Sequence, residues 1–228
     1  MYKYEMHQHT GLCSACSGYK GEDIIKNLKE LGFSGTVITD HFYHGNTRID
    51  KSLPWEEFVE HYKNAYLLVK KEGEKQDIDV FFGMEENIGD GKEVLLYGLY
   101  PDTIAAHPEI RNLNGEQLLK SLYEIARDNG GLIFQAHPFR DRDYIKEPNK
   151  EINEKYLNGV EGYNKYNPQD ENEKAVEMAK RKNLPIIAGS DSHGNEKNRF
   201  GIKTKERIKT NQDLVKILKE QNYELYLG

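Results

Sequence analysis

Short β-branched and aromatic runs alternate along this chain with stretches in which apolar residues recur every three or four positions. Residues 2–9 read as a strand, and residues 22–31 then carry Ile24, Ile25, Leu28 and Leu31 at the spacing of one helix face. Gly32 is placed to end that helix. Thr36-Val37-Ile38-Thr39 is β-branched throughout and predicts a second strand, followed after a loop by a helix over residues 54–71. Residues 78–82 and 94–99 predict two further strands; Asp90-Gly91-Lys92 between them signals a turn, so one helical crossover is missing there. The alternation then resumes with a helix over 115–127, strands over 132–136 and 159–163, a helix over 172–182, a strand over 184–188, a helix over 211–220 and a last strand over 223–227. Strands divided by helices of this length predict parallel pairing with the helices outside, an α/β arrangement in one domain over residues 1–228.

Composition narrows the function classes. The 228 residues are 37% hydrophobic and 31% charged, with a mean hydropathy of −0.83, so the surface is heavily charged while strands and helix faces hold the apolar residues. No run reaches the roughly 18 apolar residues that span a bilayer, and the first residues lack the apolar stretch of a secretory signal. The expectation is a cytoplasmic protein without a membrane partner. A net charge of −6 argues against a broad basic face, so no duplex nucleic acid is expected as partner, although a local cationic pocket is compatible with it. The two cysteines, Cys13 and Cys16, exclude a disulfide framework but leave open a redox pair, metal ligands or two reduced thiols.

The potential metal ligands fall at one kind of place. His7 and His9 end the first strand, Asp40 and His41 the second, Glu85 and Glu86 the third, His137 the strand over 132–136, and Asp191 and His193 the strand over 184–188. Each cluster has an ordinary explanation by itself: solvent-facing histidines, a helix cap, a solvated charge pair, a polar turn. Their joint placement, with five of the eight histidines at C-terminal strand ends, points instead to one shared face where the active sites of barrels and open parallel sheets are built. Imidazole nitrogens with carboxylate oxygens suit Zn, Mn or Fe. With Glu85 and Asp191 ionised and the histidines neutral, two divalent ions would leave about +2 in such a site and three about +4. That excess calls for an anionic substrate such as a phosphate ester.

His7-Gln8-His9, Thr39-Asp40-His41, Gly83-Met84-Glu85, Ala136-His137-Pro138 and Gly189-Ser190-Asp191-Ser192-His193 resemble, in order, the motifs of the PHP (polymerase and histidinol phosphatase) superfamily. The resemblance implies a distorted (β/α)7 TIM-like barrel of parallel strands, two or three divalent metal ions and hydrolysis of phosphate esters. It implies His7, His9 and Asp191 as ligands of a first metal, Glu85 as a bridge to a second, His137 as a ligand of the second, and His41 and His193 as ligands of a third. Two places depart from the pattern. Where many members have an Asp or His after the second histidine, this chain has Ser14 and Ala15, with Cys16 one position further on. Where many have a histidine on the strand after the glutamate, it has Glu93-Val94-Leu95-Leu96, so the second metal loses a ligand or borrows Glu93.

The expected reaction is attack on phosphorus by a hydroxide shared between the metals, since a bound divalent cation brings the pKa of water down to about 7. Asp191, His41 and His193 are the expected catalytic groups, with His41 or His193 placed to protonate the leaving oxygen. Arg140 and Arg199 are expected to bind phosphate oxygens and Asn164 to orient substrate. The expected partner is a small phosphorylated molecule. The loops over 42–53, 138–156 and 194–210 would set specificity, His44, His61 and His107 read as surface residues, and Tyr62, Tyr66 and Tyr123 as helix packing. Two alternatives stand beside this reading: an amidohydrolase-like hydrolase of C–N bonds, and a noncatalytic metal-stabilised module that binds phosphorylated ligands.

Overall fold

The computed structural model describes residues 1–228. Nine strands form one sheet: β1 (Tyr2–Gln8), β2 (Gly35–Ile38), β3 (Asp79–Gly89), β4 (Lys92–Tyr97), β5 (Leu132–Gln135), β6 (Gly159–Asn164), β7 (Ile186–Gly189), β8 (Gly201–Thr204) and β9 (Glu224–Tyr226). The helices are α1 (Gly21–Glu30), α2 (Trp55–Gln76), α3 (Pro101–Ala105), α4 (Gly115–Asp128), α5 (Gln169–Lys182) and α6 (Asn211–Glu220). None is long and apolar enough to cross a membrane.

The sheet runs β7-β6-β5-β4-β3-β2-β1-β8-β9 and curls until the end of β7 meets β1 again. There His9 N–H donates to the Ser192 carbonyl at 3.0 Å and Ser192 N–H to the His7 carbonyl at 3.1 Å, and Gln8 and Ser192 form a parallel bridge. The result is the expected distorted TIM-like barrel, with two differences. β4 runs antiparallel to both neighbours, because the Asp90-Gly91 turn, with φ of 54° and 75°, can return the chain only to the adjacent strand. β8, antiparallel to β1, lies within the 194–210 stretch read as a specificity loop; Ile202 is its one strongly apolar residue, too little for a periodic signal.

Alternate strand residues divide between two cores. Ile38, Phe82, Val94, Leu96 and Ile133 pack outward among α1, α2 and α4. Tyr4, Met6, Val37, Phe81, Leu95, Tyr97, Leu132, Phe134 and Ile187 pack on the opposite face, joined by Leu214, Val215 and Leu218 of α6. The Tyr97 hydroxyl on β4 donates to the Met6 carbonyl on β1 at 3.0 Å, across strands that are not neighbours, so this face lines the lumen. Tyr62 and Tyr66 are buried helix residues as expected.

Two bulges decide what the upper lumen contains. In β1 the register slips between Glu5 and Gln8, and in β6 between Glu161 and Tyr163. A bulge inserts one residue and so changes which parity of side chain faces inward. Tyr4 and Met6 face the lumen below the first bulge and His7 and His9 above it. Glu161 faces it below the second and Asn164 above it.

Candidate metal centre

Four donor groups from three strands meet at the upper lumen. His7 Nε2 lies 3.1 Å from His9 Nε2, 3.2 Å from Glu85 Oε1 and 3.6 Å from Asp191 Oδ1; His9 Nε2 lies 3.3 Å from Glu85 Oε2 and 3.1 Å from Asp191 Oδ1. A tetrahedral cation with bonds of about 2.0–2.1 Å has ligand–ligand edges of about 3.3–3.4 Å. Beside this group, His137 Nε2 stands 3.1 Å from Glu85 Oε1 and 3.4 Å from Glu93 Oε2, and His41 Nδ1 stands 3.0 Å from Glu85 Oε2 and 3.5 Å from Glu93 Oε1. Glu85 thus touches both groups. It lies in the middle of β3 rather than at its end, because the strand continues past β2 to pair with β4.

These side chains are held from behind. Glu161 Oε1 is 2.9 Å from His7 Nδ1, and its Oε2 accepts from His137 N–H at 3.1 Å and from Asn164 Nδ2 at 3.0 Å. Ser14 Oγ is 2.9 Å from His9 Nδ1 and donates to Asp40 Oδ1 at 2.6 Å. A carboxylate or hydroxyl on the far ring nitrogen fixes the imidazole's orientation and aims its other nitrogen at the site. Gly189 permits this packing, since a Cβ there would sit 2.4 Å from Glu161 Oε1 and 2.7 Å from His7 Cβ. His137 and Asp191 have φ of 26° and 54°, strained values for residues with a side chain.

The charge distribution suits cations. Burial pushes His9 down to about 3, so it is neutral with a free lone pair at ordinary pH. Burial opposes ionisation of Asp191 and Glu85, but Arg140 beside the first and His7 and His41 beside the second outweigh it and hold both carboxyls well below their usual range. Burial and the neighbouring Glu85 raise Glu93. Glu85 Oε2 and His41 Nδ1 are buried and face each other without a hydrogen bond. Two crowded carboxylates and unpartnered donors in a dry site fit a bound divalent ion.

The residues expected at the site divide on inspection. His7, His9, His41, Glu85, His137, Asp191 and His193 converge, with His193 Nε2 3.6 Å from Asp191 Oδ1 and its ring stacked 4.7 Å from that of His9. Both candidate substitutes join them: ligand atoms of Cys16, His9, His41 and His193 lie within 4.8 Å of one another, as do those of Glu93, His41 and Glu85. Cys13 instead packs in the outer core, which removes the redox-pair reading. Arg140 stands at the site, donating from Nη2 to Asp191 Oδ2 at 2.5 Å and to Asn164 Oδ1 at 3.0 Å and from Nε to Asn167 Oδ1 at 3.0 Å.

Arg199, expected at a phosphate, is enclosed by protein groups instead. It is wholly buried, with Nη1 on Gln8 Oε1 at 2.6 Å and Glu5 Oε2 at 3.3 Å and Nε on Asn27 Oδ1, so it neutralises a buried carboxylate. Asn164 is likewise enclosed, its amide engaged with Glu161, Asp191 and Arg140. His44 contacts Glu86 and His107 contacts Glu109, outside the cluster. Sequence reasoning passed over Glu161; the available signal was a lone carboxylate inside the strand Gly159-Val160-Glu161-Gly162, where a buried charge needs a partner.

A family model described as PHP-associated matches residues 169–197, a segment that holds β7 with Asp191 and His193. No curated protein matches the chain by sequence. Among solved structures it is similar to a two-domain protein from Bacteroides vulgatus containing a predicted PHP-like metal-dependent phosphoesterase, at 15% identity and a TM-score of 0.71 over 100% of this chain and 65% of that one. It is also similar to the lesion-specific endonuclease Q of Pyrococcus furiosus, at 13% identity and a TM-score of 0.57 over 98% of this chain and 57% of that one. An amidohydrolase from Chromobacterium violaceum with bound sulfate matches at 13% identity and a TM-score of 0.55, over 86% of this chain and 89% of that one. The chain thus spans about two thirds of the first of these proteins and somewhat over half of the second. The fold is that of the PHP-like barrels, and the PHP-associated match falls on the segment that carries the Gly189–His193 motif.

One expectation is overturned. Endonuclease Q has been captured on a 27-mer duplex with an abasic lesion at its active site, on a fold this chain matches with a TM-score of 0.54. A net charge of −6 therefore gives no ground for excluding duplex nucleic acid. Net charge averages over the whole surface, whereas a bound ligand meets only the local field around its site.

Proposed function

We propose that this chain, over residues 1–228, is a metal-dependent phosphoesterase of the PHP type. The observation that carries the reading is the group His7, His9, Glu85 and Asp191, whose donor atoms stand at the edge lengths of a cation's ligand shell and whose histidines are braced by Glu161 and Ser14. In this reading Glu85, Glu93 and His137 hold a second divalent ion, and His41 and His193 line an outer position at the mouth. Zn, Mn or Fe, when bound, would supply Lewis acidity and a water acidic enough to ionise near neutral pH.

The chain's own contribution is placement and charge. Neutral His9 and ionised Asp191 and Glu85 offer lone pairs without a proton to displace. Arg140, pinned at Nε and Nη2, presents Nη1 to a phosphoryl oxygen and stabilises the charge that grows there. Its hold on Asp191 couples the anion-binding group to the cation-binding one.

The test is phosphate release from an aryl phosphate, and strand cleavage of plain and abasic duplex DNA, by protein loaded in turn with Zn, Mn and Fe. Hydrolysis that disappears on chelation and in Asp191→Ala is the expected result. The amidohydrolase neighbour supplies a second reading, turnover of amide or lactam substrates in the same panel. Saturation with metal and no turnover of any substrate would favour a noncatalytic phospholigand-binding module.

A further inference from the structure

We propose that Cys16, with His41 and His193, makes the outer edge of the site selective for a thiophilic divalent cation such as zinc, while the inner Glu85–Glu93–His137 position favours an oxygen-preferring one. The inference rests on the cation-dependent reading above and adds to it the division of labour between positions. Cys16 is no stray thiol beside a cluster. Ala15 N–H donates to the Asn46 carbonyl at 2.9 Å, Ser17 Oγ donates to the His193 carbonyl at 3.2 Å, and Arg48 Nη2 donates to the carbonyls of Ala15 and Ser17. Two residues upstream of Cys16, Ser14 Oγ contacts His9 Nδ1 and accepts from His41 N–H at 3.0 Å. The backbone is therefore fixed on both sides of Cys16 and tied to the two elements that carry its partner histidines.

The ligand atoms of Cys16, His41 and His193 lie within 4.8 Å of one another together with one of His9. His9 turns Nε2 to Asp191 and Glu85 and Nδ1 to Ser14, so it belongs to the inner group. Three ligands, one sulfur and two nitrogens, are left with a fourth direction open; of these His41 also turns Nδ1 to Glu85 and Glu93 and so borders the inner position. Cys16 is exposed and His193 partly so, while His7, His9, Glu85 and His137 are buried, so the open direction leads to solvent. Thiolate with imidazole selects zinc and similar cations, whereas two carboxylates with one imidazole favour manganese or iron. The two substitutions that set this chain apart from the usual motif pattern thus push neighbouring positions in opposite directions.

Cobalt(II) is the probe, because a thiolate bound to it gives a sulfur-to-cobalt charge-transfer band in the near ultraviolet. The wild-type chain titrated with cobalt should develop that band, Cys16→Ser should lose it, and Cys16→Asp should regain the bound ion without the band. By elemental analysis Cys16→Ser should lose one equivalent of zinc per chain and no manganese, with its circular dichroism spectrum unchanged. A cobalt-saturated wild type without the band, a band that survives in Cys16→Ser, or equal zinc content in the two would overturn the proposal. The band is read without turnover: a band with no phosphate release sinks only the phosphoesterase reading, and phosphate release with no band sinks only this one.

Discussion

The two ends of the barrel lumen are built from the same strands and obey opposite rules. The lower half is filled by Tyr4, Phe81, Leu95, Tyr97, Leu132, Phe134 and Ile187 and closed by α6, an apolar plug held by burial. At the other end the same sheet carries His7, Glu85, Glu93, Glu161 and Asp191, all buried and charged or chargeable. A fold with its apolar half intact can hold these groups close together against their mutual repulsion, a crowding that a bound cation would relieve. The two arginines sharpen the contrast. Arg199 is wholly buried against Glu5 and Gln8, whereas Arg140 meets Asp191 at the site with its side chain partly open to solvent.

Substitutions at the two ends should therefore separate activity from stability. Asp191→Ala should cut phosphate release roughly a hundred- to thousandfold and remove bound metal while the far-ultraviolet circular dichroism stays native; full activity in that variant would break the contrast. Arg199→Ala should do the reverse. Removing one partner of a buried ion pair costs about 3–5 kcal/mol, so its thermal midpoint should fall steeply while turnover per folded molecule is kept. Phe134→Ala in the plug should cost a similar ~3–5 kcal/mol, measured by urea unfolding, again with the site's metal content unchanged.

Smaller effects test the bracing. Glu161→Gln keeps the shape but weakens the anchor of His7, and metal affinity measured by competition with a chelating dye should fall about 10–100-fold. The smallest expected effect concerns Lys92, whose Nζ donates to the carbonyls of Pro138 and Pro148 and so pins the loop that carries Arg140. Burial, with Lys150 adding to it, pushes Lys92 down to about 8 from 10.5. Between those values the unfolded chain holds the proton and the folded chain does not, so stability should rise as pH goes from 8 towards 10.5. Lys92→Met should flatten that rise in pH-dependent melts; an unchanged slope would mean that Lys92 is not its source.

Much of the frame was legible from the chain. The runs at 36–39, 78–82, 94–99, 132–136 and 159–163 all became strands, and the Asp90-Gly91 turn announced the antiparallel hairpin. Helix ends moved more: α2 extends to Gln76 because Asp77 caps it in a left-handed conformation with φ of 58°, which no apolar spacing encodes. β8 was hidden because its role is to pair with β1 and β9, and pairing leaves little trace in four residues of which one is strongly apolar. At the site the histidine and carboxylate motifs were visible as residue types, whereas Glu161 was not, because its meaning comes from His7, 154 positions away.

By itself the sequence determined which kinds of element form and which chemistry their ends carry. Both are local properties, written in spacings of two to four residues and in the donors a side chain brings. Only the tertiary structure decided that β4 runs backwards, that two bulges turn His7, His9 and Asn164 inward, that Cys16 and Glu93 come within reach of the site histidines, and that Arg140 rather than Arg199 faces the site. The reason is that these depend on strand register and closure between segments far apart in the chain, and a slip of one residue in register exchanges the inside of a barrel for its outside.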